Sequence, residues 1–115
     1  MKNFRDLKVW EKSHLLVTEI YKKTEYFPKE EKYGLINQIR RASVSVPTNI
    51  AEGCGRGSNA DFKRFLQIAF GSASEVEYLL LLSYDLSLFE LEEYTNLNGM
   101  VVEVKMMLAG LMKTL

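Results

Sequence analysis

An all-α fold, an antiparallel up-down-up-down four-helix bundle, is predicted by three features of this sequence. Apolar residues recur at intervals of three and four in four separate stretches. No stretch alternates apolar and polar residues with the period of two that a half-buried strand needs. The connections between the four stretches are short, and short connections make sequential helices antiparallel neighbours.

The first stretch sets Leu7, Trp10, His14, Val17 and Tyr21 in one row and Val9, Ser13, Leu16 and Ile20 in a second beside it. Asp6 or Asn3 is its candidate cap, and it fades near Thr24. Phe27-Pro28-Lys29-Glu30-Glu31 opens the second helix, because proline suits a first turn and carboxylates there complement the positive end of the helix dipole. Its core row is Leu35, Ile39, Ala42, Val46 and Ile50. Pro47 lies inside it, removing one backbone donor and crowding the carbonyl of Ser43. A kink at Pro47 is the expectation, with the Ser43 or Ser45 hydroxyl able to partner freed backbone groups. A break at Val46 with a restart at Pro47 is the alternative.

Gly53-Cys54-Gly55-Arg56-Gly57 ends the second helix, and Ser58-Asn59-Ala60-Asp61 resembles a capping box that opens the third. That helix carries one row at Phe62, Leu66, Ala69, Ala73, Val76 and Leu80. A second row, roughly 100° away, holds Ile68, Ser72, Glu75, Leu79, Leu82 and Leu86. Ser87 to Glu90 form a short turn. The fourth helix has a sustained seam at Tyr94, Leu97, Val101, Val104, Leu108, Leu111 and Leu115.

With 115 residues, 47% of them hydrophobic and 26% charged, the chain fits a single domain spanning 1–115 with a core that needs no disulfide or structural metal. The N-terminal stretch Met1–Asp6 has no apolar run of signal-peptide type, and the apolar run Leu79–Leu82 is far shorter than a membrane span. A cytoplasmic protein with no membrane association is therefore expected. Fifteen Lys and Arg balance fifteen Asp and Glu. A dedicated duplex-binding domain is usually clearly basic, so nucleic-acid binding would require the charge to segregate onto one face or around an oligomer's axis.

Chemistry is sparse. His14 is the only histidine; Glu11 stands three residues before it, but a di-iron bundle needs the Glu-x-x-His pair on each of two helices, which one histidine cannot supply. Cys54 is the only cysteine, so it forms neither an intrachain disulfide nor a cysteine-based zinc site. A His14–Cys54 catalytic pair would still need a third positioning group. The Gly53-x-Gly55-x-Gly57 run follows a helix rather than a strand, so a helix end and a turn explain it better than a dinucleotide loop. Arg56 in that loop could meet an anion near the third helix N-terminus. Glu30-Glu31 and Glu92-Glu93 read as first-turn dipole partners. The expectation is no catalytic residue, no metal, no cofactor and no small-molecule substrate.

One polar stripe stands out on the second helix: Gln38, Arg41, Ser45, Asn49 and Glu52. Glu75 lies in an otherwise mostly apolar row of the third helix, and a buried charge there would need a partner. This suggests a semi-buried network in which Arg41 joins Glu75 or Glu52, with Asn49 as a neutral member; alternatively Glu75 simply reaches solvent. Candidate phosphate contacts are Arg40, Arg56, Lys63 and Arg64. Apolar residues run nearly all round the third helix from Tyr78 to Leu91, and Met100, Met106 and Met107 add more on the fourth. Apolar surface of this extent marks association, so a homo-oligomer is expected.

The chain also carries Phe4-x-x-Leu7-x-Val9-Trp10, Phe27-Pro28-x-Glu30, Tyr33-Gly34-Leu35, Gln38-Ile39-Arg40-Arg41-Ala42, Ser45-Val46-Pro47-x-Asn49-Ile50-Ala51-Glu52-Gly53 and Gly71-Ser72-Ala73-x-Glu75, in that order. Together these resemble the four-helix-bundle family named after intervening sequences of bacterial 23S ribosomal RNA, over nearly the whole chain. The resemblance implies an antiparallel four-helix bundle and a homopentameric barrel. The family name records where some of the genes lie and is not an activity. Related accessory proteins of diversity-generating retroelements form similar pentamers and are thought to bind nucleic acid and a reverse transcriptase through a basic surface. This chain departs from them in being charge-neutral, which argues against strong nonspecific nucleic-acid binding. Two functions follow as expectations: an oligomeric module contacting RNA or DNA phosphates, possible as part of a ribonucleoprotein, or an adaptor that binds only protein.

Overall fold

The computed structural model describes residues 3–115, with Lys32 described by its backbone alone. Met1 and Lys2, which open the N-terminal stretch without a signal-type apolar run, lie outside the described residues. Four helices form: α1 Lys8–Thr24, α2 Asn37–Cys54, α3 Asn59–Asp85 and α4 Leu91–Lys113. They pack as a four-membered ring, α1 against α2 and α4, and α3 against α2 and α4. The shared core runs the length of a 43 × 24 × 19 Å body. Leu16, Ile20, Ile39, Ile50, Leu66, Leu80, Leu97 and Leu108 are wholly buried, and each such side chain stabilises the fold by about 2 kcal/mol relative to exposure.

The predicted core rows of α2 and α3 are buried throughout, and the middle of the α4 seam is buried from Leu97 to Leu108. In α1 it is the second row, Val9, Ser13, Leu16 and Ile20, that enters the core. The first row turns toward α2, leaving His14 and Tyr21 exposed. The second row of α3 is split: Leu79 is buried, Ser72 and Leu82 are half-buried, and Glu75, Ile68 (42%) and Leu86 (53%) are exposed. An 18-residue window of α3 reaches a mean hydropathy of 1.3, which the short run at Leu79–Leu82 did not suggest. Its apolar residues are divided between the core and the exposed part of the second row.

Several local expectations are corrected. Neither Asn3 nor Asp6 caps α1: Asn3 Oδ1 accepts from Arg5 N, 3.0 Å, at a separate 3-10 turn over Phe4–Asp6. The second helix does not begin at Pro28. A 3-10 turn at Lys29–Glu31 and a π-helical segment at Lys32–Ile36 come first. The helix then runs through Pro47 to Cys54 without a break, so there is no restart at that proline. The Ser43 hydroxyl donates to the Arg40 carbonyl at 2.9 Å rather than serving groups freed by Pro47.

Gly53 sits inside α2, and no described glycine has a positive φ. Its role is close approach: a Cβ there would lie 2.9 Å from Phe65 Cβ and 3.0 Å from Phe62 Cδ1. Such spacing lets α2 and α3 converge at their shared turn. At the opposite end, Ser87 takes φ 63° in the α3–α4 turn. Beside it Phe89 packs edge-on to Phe27 at 4.9 Å and closes the mouth of the bundle.

Candidate nucleic-acid interface

The α2–α3 turn gathers three of the four predicted phosphate contacts. Ser58 caps α3, its Oγ accepting from Asp61 N at 3.1 Å, and this fixes the first turn that carries Lys63 and Arg64. Phe65 is 7% exposed, and its ring holds two guanidiniums, Arg56 at 4.8 Å and Arg64 at 4.6 Å from the centroid. Arg56 also pairs with Glu52 at 3.6 Å and Arg64 with Asp61 at 3.8 Å. All four groups are well exposed, so these pairs are weak and exchange readily with another anion. Lys63 is exposed and pairs with no carboxylate among the described residues. A hollow of about 150 Å³ lies beside them, lined by Gly53, Cys54, Arg56, Gly57, Ser58 and Phe62, among others.

Arg40 belongs elsewhere. Its Nε donates to Thr24 Oγ1 at 2.9 Å and its Nη2 to the Tyr21 carbonyl at 3.1 Å. The guanidinium lies 4.5 Å above the Tyr21 ring and 3.7 Å from Glu25. It ties the end of α1 to α2, at the far end of the bundle from the other three. It therefore stands apart from the cluster of Arg56, Lys63 and Arg64, with two of its donors engaged within the fold.

The expected Arg41–Glu75–Glu52 network does not form within the chain. Arg41 and Glu75 are exposed, so neither needs a buried counter-charge, and Glu52 turns to Arg56 one helical turn away. Only Asn49 joins a cross-helix network, and it is neutral. Asn49 Nδ2 donates to the Ser45 carbonyl at 2.8 Å and to Ser45 Oγ at 3.0 Å. Ser45 Oγ in turn bonds Ser72 Oγ of α3 at 2.8 Å. His14 stacks on Trp10 at 5.0 Å and lines a groove of about 410 Å³ between α1 and α2, whereas Cys54 lines the hollow at the α2–α3 turn. The structure does not bring them together as a pair.

Sequence reading missed Phe65, which fell in neither apolar row of α3; its position next to Arg64 was the available signal. It also missed the sorting of charge along the bundle. Counted by position along each helix, the half containing the α2–α3 turn holds eight Lys and Arg against five Asp and Glu among the described residues. The other half holds six against ten. A chain with zero net charge is thus positive at one end and negative at the other.

The family model for 23S rRNA-intervening sequence proteins matches residues 5–110. The chain belongs to that family. A crystal structure of a protein with unknown function from the S23 ribosomal protein family of Bacteroides thetaiotaomicron superimposes with a TM-score of 0.85 at 30% identity. The match covers 91% of this chain and 95% of that one. No protein of curated description matches. The four-helix fold described above is thus shared with a member of the S23 ribosomal protein family.

Proposed function

We propose that this intervening-sequence family member is a non-enzymatic, oligomeric binding module of the cytoplasm that contacts nucleic-acid phosphates, RNA in the first instance, through Arg56, Lys63 and Arg64. The observation that carries the reading is the sorting of charge to the α2–α3 end, which answers the objection from zero net charge. Two guanidiniums held on one ring, with an unpaired lysine between them in sequence, suit phosphate contact without base reading. Phosphate binding needs only positive potential and mobile donors.

Two apolar grooves support the oligomer. One, of about 410 Å³, lies between α1 and α2; the other, of about 250 Å³, lies between α3 and α4 on the opposite side. Unlike faces on opposite sides suit a heterologous contact that closes into a ring, and the family resemblance suggests five subunits. Cyclic symmetry would set every basic end on the same rim. The same grooves favour a second reading, a protein-only adaptor.

Light scattering behind size exclusion, with a single-stranded RNA titrated across salt, separates the two. Three phosphates contacted per chain give a slope of log affinity against log salt of about −2. Lys63→Ala should shrink that slope by about 0.7 without altering the oligomer. A defined oligomer that ignores RNA at low salt overturns the reading in favour of the adaptor.

A further inference from the structure

We infer that the acidic end of one bundle docks on the basic end of a second copy, so that copies stack end to end and compete with phosphate for Arg56, Lys63 and Arg64. The competition rests on the reading above; the contact itself does not. Three observations point to it. First, the charges at the two ends are opposite and nearly matched within one sequence, so the complement of each surface is present at the other end of the same molecule. Glu30 and Glu92 are exposed at the acidic end and make no ion pair with any described residue there.

Second, the acidic end carries protruding aromatic rings. Tyr26 is 89% exposed and Tyr33 85%, the largest exposures among the big hydrophobic residues, and both lie in the α1–α2 connection. Third, the basic end offers a receptor. The hollow beside Arg56 is an open depression of about 150 Å³ with Phe62 and Arg56 in its lining, room for part of an aromatic ring. An inserted tyrosine there would meet Phe62 and lie within reach of a guanidinium, which favours an aromatic face. A contact between unlike ends does not close on itself, so it extends into open stacks. Because the paired charges are exposed, salt weakens it over a Debye length of about 10 Å at 0.1 M.

The test is sedimentation velocity over a concentration series at low and high salt. At low salt the mass should keep rising with concentration, and at high salt it should fall back to one basic unit. Glu30→Lys with Glu92→Lys should abolish the growth, and so should Lys63→Glu with Arg64→Glu. Mixing these two variants should restore association as a one-to-one pair, because the first keeps its basic end and the second its acidic end. A Tyr26→Ala chain should stack less at every concentration while keeping its helical circular dichroism. Wild-type mass independent of both concentration and salt overturns the inference, as does failure of the mixed variants to associate. A particle that never stacks but binds polylysine through Glu30 and Glu92 also overturns it, and assigns that end to a basic partner. Stacking without RNA binding overturns the phosphate reading alone, whereas RNA binding without stacking overturns only the end-to-end contact.

Discussion

At the α2–α3 end the chain turns in four residues, Gly55 to Ser58, whereas at the far end it takes twelve, Glu25 to Ile36, to join α1 to α2. The short turn works because α2 and α3 nearly touch, with Gly53 against Phe62 and Phe65. The long connection leaves an open mouth that must be filled and tied. Phe27 and Phe89 fill it, and Arg40 ties it. One end is limited by lack of space and the other by the need to occupy it, so they should fail in opposite ways under substitution.

Four substitutions sharpen that contrast. Phe89→Ala removes a side chain that is 4% exposed and should destabilise the fold by about 3 kcal/mol in urea unfolding, since a buried aromatic leaves a cavity. Gly53→Ala adds only a methyl, yet should cost about 2 kcal/mol, because helix backbones must part to admit it. A Gly53→Ala chain as stable as wild type would show that α2 and α3 have slack. Arg40→Ala strands the Thr24 hydroxyl and Tyr21 carbonyl from a charged donor, with an expected loss of about 1.5 kcal/mol. Its neighbour Arg41→Ala should change stability by less than about 0.5 kcal/mol, as an exposed substitution does. Equal effects at Arg40 and Arg41 would sink the description of Arg40 as the tie.

The adjacent arginines also show what sequence alone conveys. Spacing identified the core rows of α2 and α3, because burial follows a 3.6-residue period that any single helix reveals. It did not separate Arg40 from Arg41, since the partners of Arg40 lie on α1, at Tyr21, Thr24 and Glu25. For α1, with two adjacent rows, the choice of core face depends on how the helix is rotated between its neighbours. Pro28 was compatible with a first helical turn, but a 3-10 turn and a π-helical segment follow it before the α-helix begins at Asn37, and nothing in the local spacing distinguishes these from regular helix. The polar stripe was legible as a row. That it would pair through hydroxyls and an amide, Ser45 with Ser72 and Asn49, rather than through Arg41 and Glu75, depends on which side chains meet α3.

Four helices of alternating direction return the chain to the end from which it started. Phe4 and Leu115 both pack at the edge of the core on the side of the α2–α3 turn. Anything fused to either terminus, whether an affinity tag, a fluorophore or a surface linker, would therefore stand beside Arg56, Lys63 and Arg64. Immobilisation by a terminus would turn that surface toward the support and present the tyrosines to solvent. A reporter attached in the α3–α4 turn, near Ser87, would leave the positive end clear.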